Sequence, residues 1–297
     1  MRIEADLLDV RGYHCGMADD DQNELSIRTL LETTTLSIRD MACGGQCRHK
    51  SPAECASAVH LVFPYRGAFM RHVGRVETVA EANQLVFFNE DEEYSISHPV
   101  DGGDACLSIS LDPALLHELA PAEQLAPGPA ARFEVPRRGI DPQSQALVAM
   151  LRHGLSRGAM EPLEAETLAL ALIRRSLGER TSYVRASTYG REKLVDRTKL
   201  LLASNPGRRW TLAAMASEVG VSPVYLTQVF TQAEGVPLYR YQLRLRLARA
   251  LDLLEGCSDL TMLALDLGFS SHSHFTAAFR QHFGQSPADF QRATSLR

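Results

Sequence analysis

The chain has 297 residues, 45% hydrophobic and 23% charged, a length that suits two domains and an ordinary globular composition. No apolar run approaches the roughly 18–20 residues that span a bilayer. The opening MRIEADLLDVRG has acids where a secretory leader carries basic and apolar stretches, so a cytoplasmic protein without a membrane partner is expected. The formal charge of −5 is unevenly spread: residues 191–297 hold 13 basic and 9 acidic residues, a net of +4, and the remainder is at −9. That asymmetry suggests an acidic domain joined to a basic one that meets polyanions.

From about Thr34 to Asp112 the sequence reads as short strands. Thr35–Met41, Val59–Phe63, Gly67–His72, Gln84–Phe88, Tyr94–His98 and Ala105–Leu111 are rich in Val, Ile, Phe, Leu and Tyr. Turn residues punctuate them, as in Pro64-Tyr65-Arg66-Gly67 and Asp101-Gly102-Gly103-Asp104. Many short strands at this spacing predict a small antiparallel barrel or jelly roll.

The same region carries Cys43-x3-Cys47-x7-Cys55, flanked by His49 and His60, with Cys106 after a predicted turn. Six cysteines over this length do not make a disulfide framework. The plainest reading is ordinary thiols in a reducing compartment. Zinc or another thiophilic metal would need about four ligands brought together, and Cys43, Cys47, Cys55 and Cys106 are the candidate set. A redox switch near Arg48 and Lys50 is a third reading.

The period then changes. Asp141-Pro142 opens a predicted helix with Leu147, Met150, Leu151 and Leu155 along one side. A second helix runs from Glu161-Pro162 to about Leu177. Its segment Leu168–Ile173 is apolar almost all round, which fits either full packing within the domain or one face covered by a second subunit. Residues 181–190 read as a linker.

An approximate internal repeat dominates the last hundred residues. Leu212, Ala216, Gly220 and Ser222 recur 48 residues later as Leu260, Ala264, Gly268 and Ser270. After one extra residue, Leu226, Phe230 and Gly235 recur as Phe275, Phe279 and Gly284. Each copy is a short amphipathic helix, a glycine for a tight left-handed turn, a serine cap (Ser222, or Ser270/Ser271) and a second helix with one buried face. This is the layout of a helix-turn-helix whose second helix enters the major groove. Between the copies a helix from Pro237 to about Leu254 carries Leu243, Leu247, Ala250 and Leu254 as one stripe. Its roughly 26 Å length suits holding two reading helices near the roughly 34 Å spacing of adjacent major-groove segments.

The stretches LAAMASEVGVSPVYLTQVF, GVPLYRYQLRLRLARALDLL and LALDLGFSSHSHFTAAFRQHFGQSPADFQR resemble the DNA-binding domain of the AraC/XylS family of bacterial regulators over Trp210–Arg292. The barrel-then-helices half is also similar, less specifically, to that family's effector and dimerisation domains. The expected fold class is therefore α+β, with a cupin-like barrel and dimerisation helices over 1–180, a linker over 181–190, and an all-α domain with two helix-turn-helix units over 191–297. The resemblance implies a homodimeric regulator acting on double-stranded DNA. It also implies an activator that engages RNA polymerase and answers a small-molecule or metal effector.

On the first reading helix Pro223, Val224, Thr227, Gln228 and Thr231 fall off the buried face, and on the second Ser271, His272, Thr276, Ala277 and Arg280. An amide such as Gln228 can bond N6 and N7 of adenine. Arg280 suits guanine O6/N7 or a phosphate. Arg244, Arg246 and Arg249 on the connecting helix read as solvated or structural charges rather than phosphate contacts. His272-x-His274 is no metal pair, since i and i+2 on a helix do not face each other.

Catalytic readings find little support. An alkyl-repair activator of the Ada type would need a second correctly spaced cysteine pair. A metal-dependent oxygenase would need converging histidines with a carboxylate. No phosphate loop or nucleophile elbow occurs, and no catalytic residue is assigned. An architectural protein without sequence preference is disfavoured by the modest +4.

Overall fold

The computed structural model describes residues 25–45, 48–128, 130–178 and 189–295. The N-terminal half contains ten strands: β1 (Ser26–Glu32), β2 (Leu36–Cys43), β3 (Glu54–Cys55), β4 (His60–Arg66), β5 (Ala68–Val73), β6 (Val76–Glu81), β7 (Gln84–Phe88), β8 (Glu93–Ser97), β9 (Asp104–Leu111) and β10 (Arg137–Gly139). They form a six-stranded sheet ordered β1-β2-β9-β4-β7-β10 and a four-stranded sheet ordered β3-β8-β5-β6. Every ladder is antiparallel. Among the described residues no ladder joins the two sheets, so the strands of the expected barrel or jelly roll form two facing antiparallel sheets without closure into a barrel.

Strand alternation decides what each face does. Leu61 and Phe63 of β4, Leu85 and Phe87 of β7, and Leu107 and Ile109 of β9 point to one side of the large sheet. There they pack under the helices α2 (Pro142–Ser156) and α3 (Pro162–Leu177), while α1 (Pro113–Leu119) closes the end of the layer. Val62, Val86, Phe88 and Cys106 point the other way and meet Phe69, Ala80 and Tyr94 of the small sheet. Fully burying side chains of this size stabilises by roughly 1.5–3 kcal/mol each. In the apolar segment Leu168–Ile173 of α3, Ala169, Leu172 and Ile173 are buried and Leu168 and Leu170 pack against the same cluster, while Ala171 is exposed.

The C-terminal half is helical: α4 (Tyr189–Ser204), α5 (Leu212–Val219), α6 (Pro223–Glu234), α7 (Leu238–Leu253), α8 (Leu260–Asp266), α9 (His272–Phe283) and α10 (Pro287–Ser295). Residues 181–188 of the expected linker lie outside the described residues, and Tyr189 and Gly190 already belong to α4. The connecting helix α7 is buried on two sides rather than along one stripe. Leu247, Ala250 and Leu251 join the core around α8 and α9, whereas Tyr241, Leu245 and Ala248 join the core around α4, α5 and α6. Among the described residues no helix is long and apolar enough to cross a membrane.

The two halves pack together through polar side chains. Within the helical half the buried Lys199 Nζ lies 2.6 Å from Glu234 Oε1, and Gln84 Nε2 of the sheet half donates to Glu234 Oε2 at 3.3 Å. Arg137 of β10 meets Asp196 of α4 at 2.9 Å. The Tyr241 hydroxyl donates to Glu81 and accepts from Gln84 Nε2 at 3.2 Å. On α2, Ala146 and Ala149 enter the core of the second helical unit, and Arg152 pairs with Asp252 at 2.8 Å.

Candidate DNA-reading helices and N-terminal cavity

Both repeat units are built as local chemistry dictates. Thr211 caps α5 by accepting from the Ala214 amide at 3.1 Å. Gly220 (φ 74°) and Gly268 (φ 78°) adopt the left-handed turn between the paired helices, which a residue with a Cβ resists. Ser222 then caps α6 by accepting from the Tyr225 amide at 3.2 Å, with Pro223 in the first turn. Of the two serines offered for the second unit, Ser271 caps α9 through the His274 amide at 3.1 Å. Ser270 Oγ bonds the His274 ring nitrogen instead, at 3.0 Å.

Leu226, Val229 and Phe230 bury one face of α6, and Phe275, Ala278, Phe279 and Phe283 one face of α9. The opposite faces hold the expected reading residues. Pro223, Val224, Gln228, Ser271, His272, Ala277 and Arg280 are exposed. Thr227, Thr231 and Thr276 sit half-buried at the edge of that surface, with the Thr227 hydroxyl bonded back to the Pro223 carbonyl at 3.0 Å. No ion pair engages Arg280 among the described residues, so its guanidinium is available to a phosphate or a base. Sequence reasoning passed over Tyr225, which is 42% exposed beside Val224 at 78%. Its place three residues before Gln228 was the available signal.

Two arginines of α7 hold structure. Arg246 donates to the carbonyls of Pro206 and Arg208, each at 2.8 Å, and Arg249 pairs with Asp252. Arg209 reaches from the α4–α5 loop to the carbonyls of Gly268 and Phe269 at 3.1 and 2.8 Å, tying the turn of the second unit to the first.

Between the facing sheets lies a cavity of about 120 Å³. Met41, Val62, Phe69, Phe88 and Ile96 give it an apolar wall, and His60, His98, Asp104 and Ser108 supply polar groups. Burial, then the Arg39 charge, lowers the His60 pKa to about 4, so its ring is neutral and shares a hydrogen bond with Ser108 Oγ at 3.2 Å. Burial opposes the His98 imidazolium, but Asp104 and Cys43 outweigh it and raise its pKa to about 10.

The candidate cysteine set is not gathered. Cys43 and Cys106 line this cavity, Cys55 is exposed on the short strand β3, and Cys47 lies outside the described residues. Burial, then the Asp104 carboxylate, pushes the Cys106 thiol well up, which keeps it neutral and poorly suited to redox switching. Cys43 instead stands with His98 and Asp104, one donor atom of each lying within 4.8 Å of the others. Those two residues were not in the sequence-based set, although His98 ends a predicted strand and Asp104 ends a predicted turn.

Two capped, outward-facing helices at matching places in two repeated units define a DNA-binding protein of the double helix-turn-helix class. A family model described as a helix-turn-helix domain matches residues 215–293. The chain is 28% identical to the transcriptional activator RhaR of Klebsiella pneumoniae over 50% of its own length and 54% of that protein. It is 39% identical to the transcriptional regulator GlxA of Rhizobium meliloti over 27% of its length and 25% of that protein. A solved AraC-type DNA-binding regulator from Chromobacterium violaceum is 30% identical, with 37% of this chain and 98% of that one covered and a TM-score of 0.34. The chain spans about half or less of the length of these curated relatives. On its C-terminal domain the chain belongs to the AraC/XylS family of transcription regulators. These relatives regulate transcription and are not enzymes.

Proposed function

We propose that this chain is a sequence-specific transcription activator that binds double-stranded DNA through α6 and α9 in successive major-groove segments. The observation that carries this reading is the pair of exposed helix faces, Val224-Tyr225-Gln228 and His272-Ala277-Arg280, each set up by a serine cap. Gln228 and Arg280 are the base readers, while Thr227, Thr231 and Thr276 line the edges of the contact. Residues 1–180 receive a signal in the cavity between the sheets, in a cytoplasmic homodimer that recruits RNA polymerase. The hairpin from β6 to β7 carries Glu81 and Gln84 to Tyr241 of the connecting helix, and β7 also bears Phe88 of the cavity wall, so this strand is the route for a change at the cavity.

Selection of bound sequences from a random duplex pool, at fixed salt, tests the reading. The expected result is an enriched motif with two half-elements about one helical turn apart. Arg280→Ala and Gln228→Ala should each weaken binding to it by about 1–3 kcal/mol and relax preference at one position. Binding without any enriched motif would make the protein an architectural one. Wild-type affinity in both variants would remove α6 and α9 from the reading surface.

A further inference from the structure

We propose that Cys43, His98 and Asp104 form a binding site for one thiophilic divalent cation of the zinc class, set in the wall of the N-terminal cavity. The proposal rests on the reading of residues 1–180 as the signal-receiving half and supplies that half with a metal.

Strand register brings the three ligands together. Cys43, the last residue of β2, is the direct partner of Asp104, the first residue of β9, so their side chains leave the same face of the large sheet. His98 follows the end of β8 in the opposite sheet, at the start of the turn that leads back into β9. The site therefore spans both sheets at one end of the cavity.

A close backbone approach holds that end in place. A Cβ on Gly103 would stand 2.3 Å from the Cys43 carbonyl oxygen, and one on Gly45 would stand 2.5 Å from the Gly103 Cα. Both glycines have positive φ, and no side chain fits between the two loops. Donors carried on such packed backbone are positioned before any ion arrives.

Two of the three donors are buried, and Cys43 is half-buried. His98 is 9% exposed and Asp104 6%. His98 Nδ1 and Asp104 Oδ2 have no hydrogen-bond partner, although Oδ2 lies 2.9 Å from His98 Nε2. Buried polar atoms are nearly always hydrogen-bonded, and exceptions mark a site that is completed by something else, an ion among them. His98 Nε2 and Asp104 Oδ2 face each other at 2.9 Å as an ion pair, and with a Cys43 donor within 4.8 Å of both the three side chains converge on one point.

One sulfur, one imidazole nitrogen and one carboxylate oxygen suit zinc and its borderline-soft neighbours, and exclude magnesium and calcium, which take oxygen. Three protein ligands leave the fourth tetrahedral position facing the cavity, where a small molecule or water would complete the shell. Cys106 lines the same cavity but falls outside the group of three, and exposed Cys55 takes no part.

The test uses the full chain, stripped with a chelator under reducing conditions and titrated with Co²⁺ as a spectroscopic probe. One equivalent should bind with the intense d–d absorption of a tetrahedral site and a sulfur-to-cobalt charge-transfer band, and Zn²⁺ should displace it. Cys43→Ser should abolish the charge-transfer band, and Asp104→Asn should weaken Co²⁺ binding at least tenfold. Cys55→Ser should match wild type. Circular dichroism of each variant identifies loss of folding, and the two ligand variants serve as independent checks. Absence of a tetrahedral spectrum, binding untouched by Cys43→Ser and Asp104→Asn in folded protein, or dependence on Cys55 would each overturn the site. Duplex binding by the same samples is measured separately. Specific DNA binding without metal sinks this site alone, and metal binding without DNA binding sinks the regulator reading alone.

Discussion

At the residue scale, burial determines which polar groups act and which are held silent. Gln228 and Arg280 are exposed, while Arg246 and Arg249 of the neighbouring helix are tied to carbonyls and a carboxylate. The helical stripe alone separates the first pair from the core, but the role of Arg246 depends on a loop some 40 residues away, while Arg249 pairs three residues along its own helix. His60 and His282 illustrate silent groups. Burial, then Arg39 or Arg244, lowers each to about 4. An unfolded chain protonates its histidines near 6.5, so their neutral burial supports the fold fully above that pH. The support is lost as pH falls from about 6.5 toward 4. Urea unfolding should therefore show stability dropping between pH 7 and 5 by on the order of 1–2 kcal/mol per histidine. His60→Asn should flatten that slope, and an unchanged slope would mean His60 is already charged in the fold.

At the scale of elements, the paired units are legible because caps, turns and stripes are all local. The glycine turns separate two effects that the repeat makes look identical. Gly220 has open space around its missing Cβ, whereas a Cβ on Gly268 would strike the Gly207 carbonyl oxygen at 2.1 Å. Gly220→Ala should destabilise by roughly 1–2 kcal/mol from its left-handed backbone alone. Gly268→Ala adds a collision with backbone and should lower the thermal midpoint further. Equal midpoints for the two variants would remove the loop contact from the account. The strands β1, β3, β6 and β10 escaped the sequence reading because charge or short length hides their alternation, β3 being only Glu54–Cys55. SIRTLLE and VETVAE mix charges into edge strands, and RRG is too short and polar to register at all.

At the scale of the whole molecule, the two halves form a joint through a buried polar cluster. Burial, then Glu81 and Glu234, pushes the Tyr241 hydroxyl well up, so it remains a donor to the Glu81 carboxylate. Tyr241→Phe keeps the ring against Phe230 but leaves Glu81 and Gln84 short of a partner. Full-chain unfolding should show a loss of about 1–3 kcal/mol, as for an unsatisfied buried group. A drop below a few tenths of a kcal/mol would mean that water replaces the hydroxyl and that the joint is looser than its distances imply. The same variant tests signal transfer, since the β6–β7 hairpin bears on α7 through this hydroxyl.

The sequence by itself determined the double helix-turn-helix, its caps and turns, its outward residues, the span of β7 and the bounds of α3. Each of these rests on periodicity or turn chemistry within a dozen residues, and such signals survive whatever the rest of the chain does. Only the tertiary structure decided that the strands form two facing sheets, that α7 is buried on two sides, and that Cys43 meets His98 and Asp104 rather than Cys55. Those outcomes depend on register between segments some 60 residues apart and on packing between domains. A one-residue slip in the pairing of β2 with β9 would turn Cys43 away from the cavity without altering any local pattern.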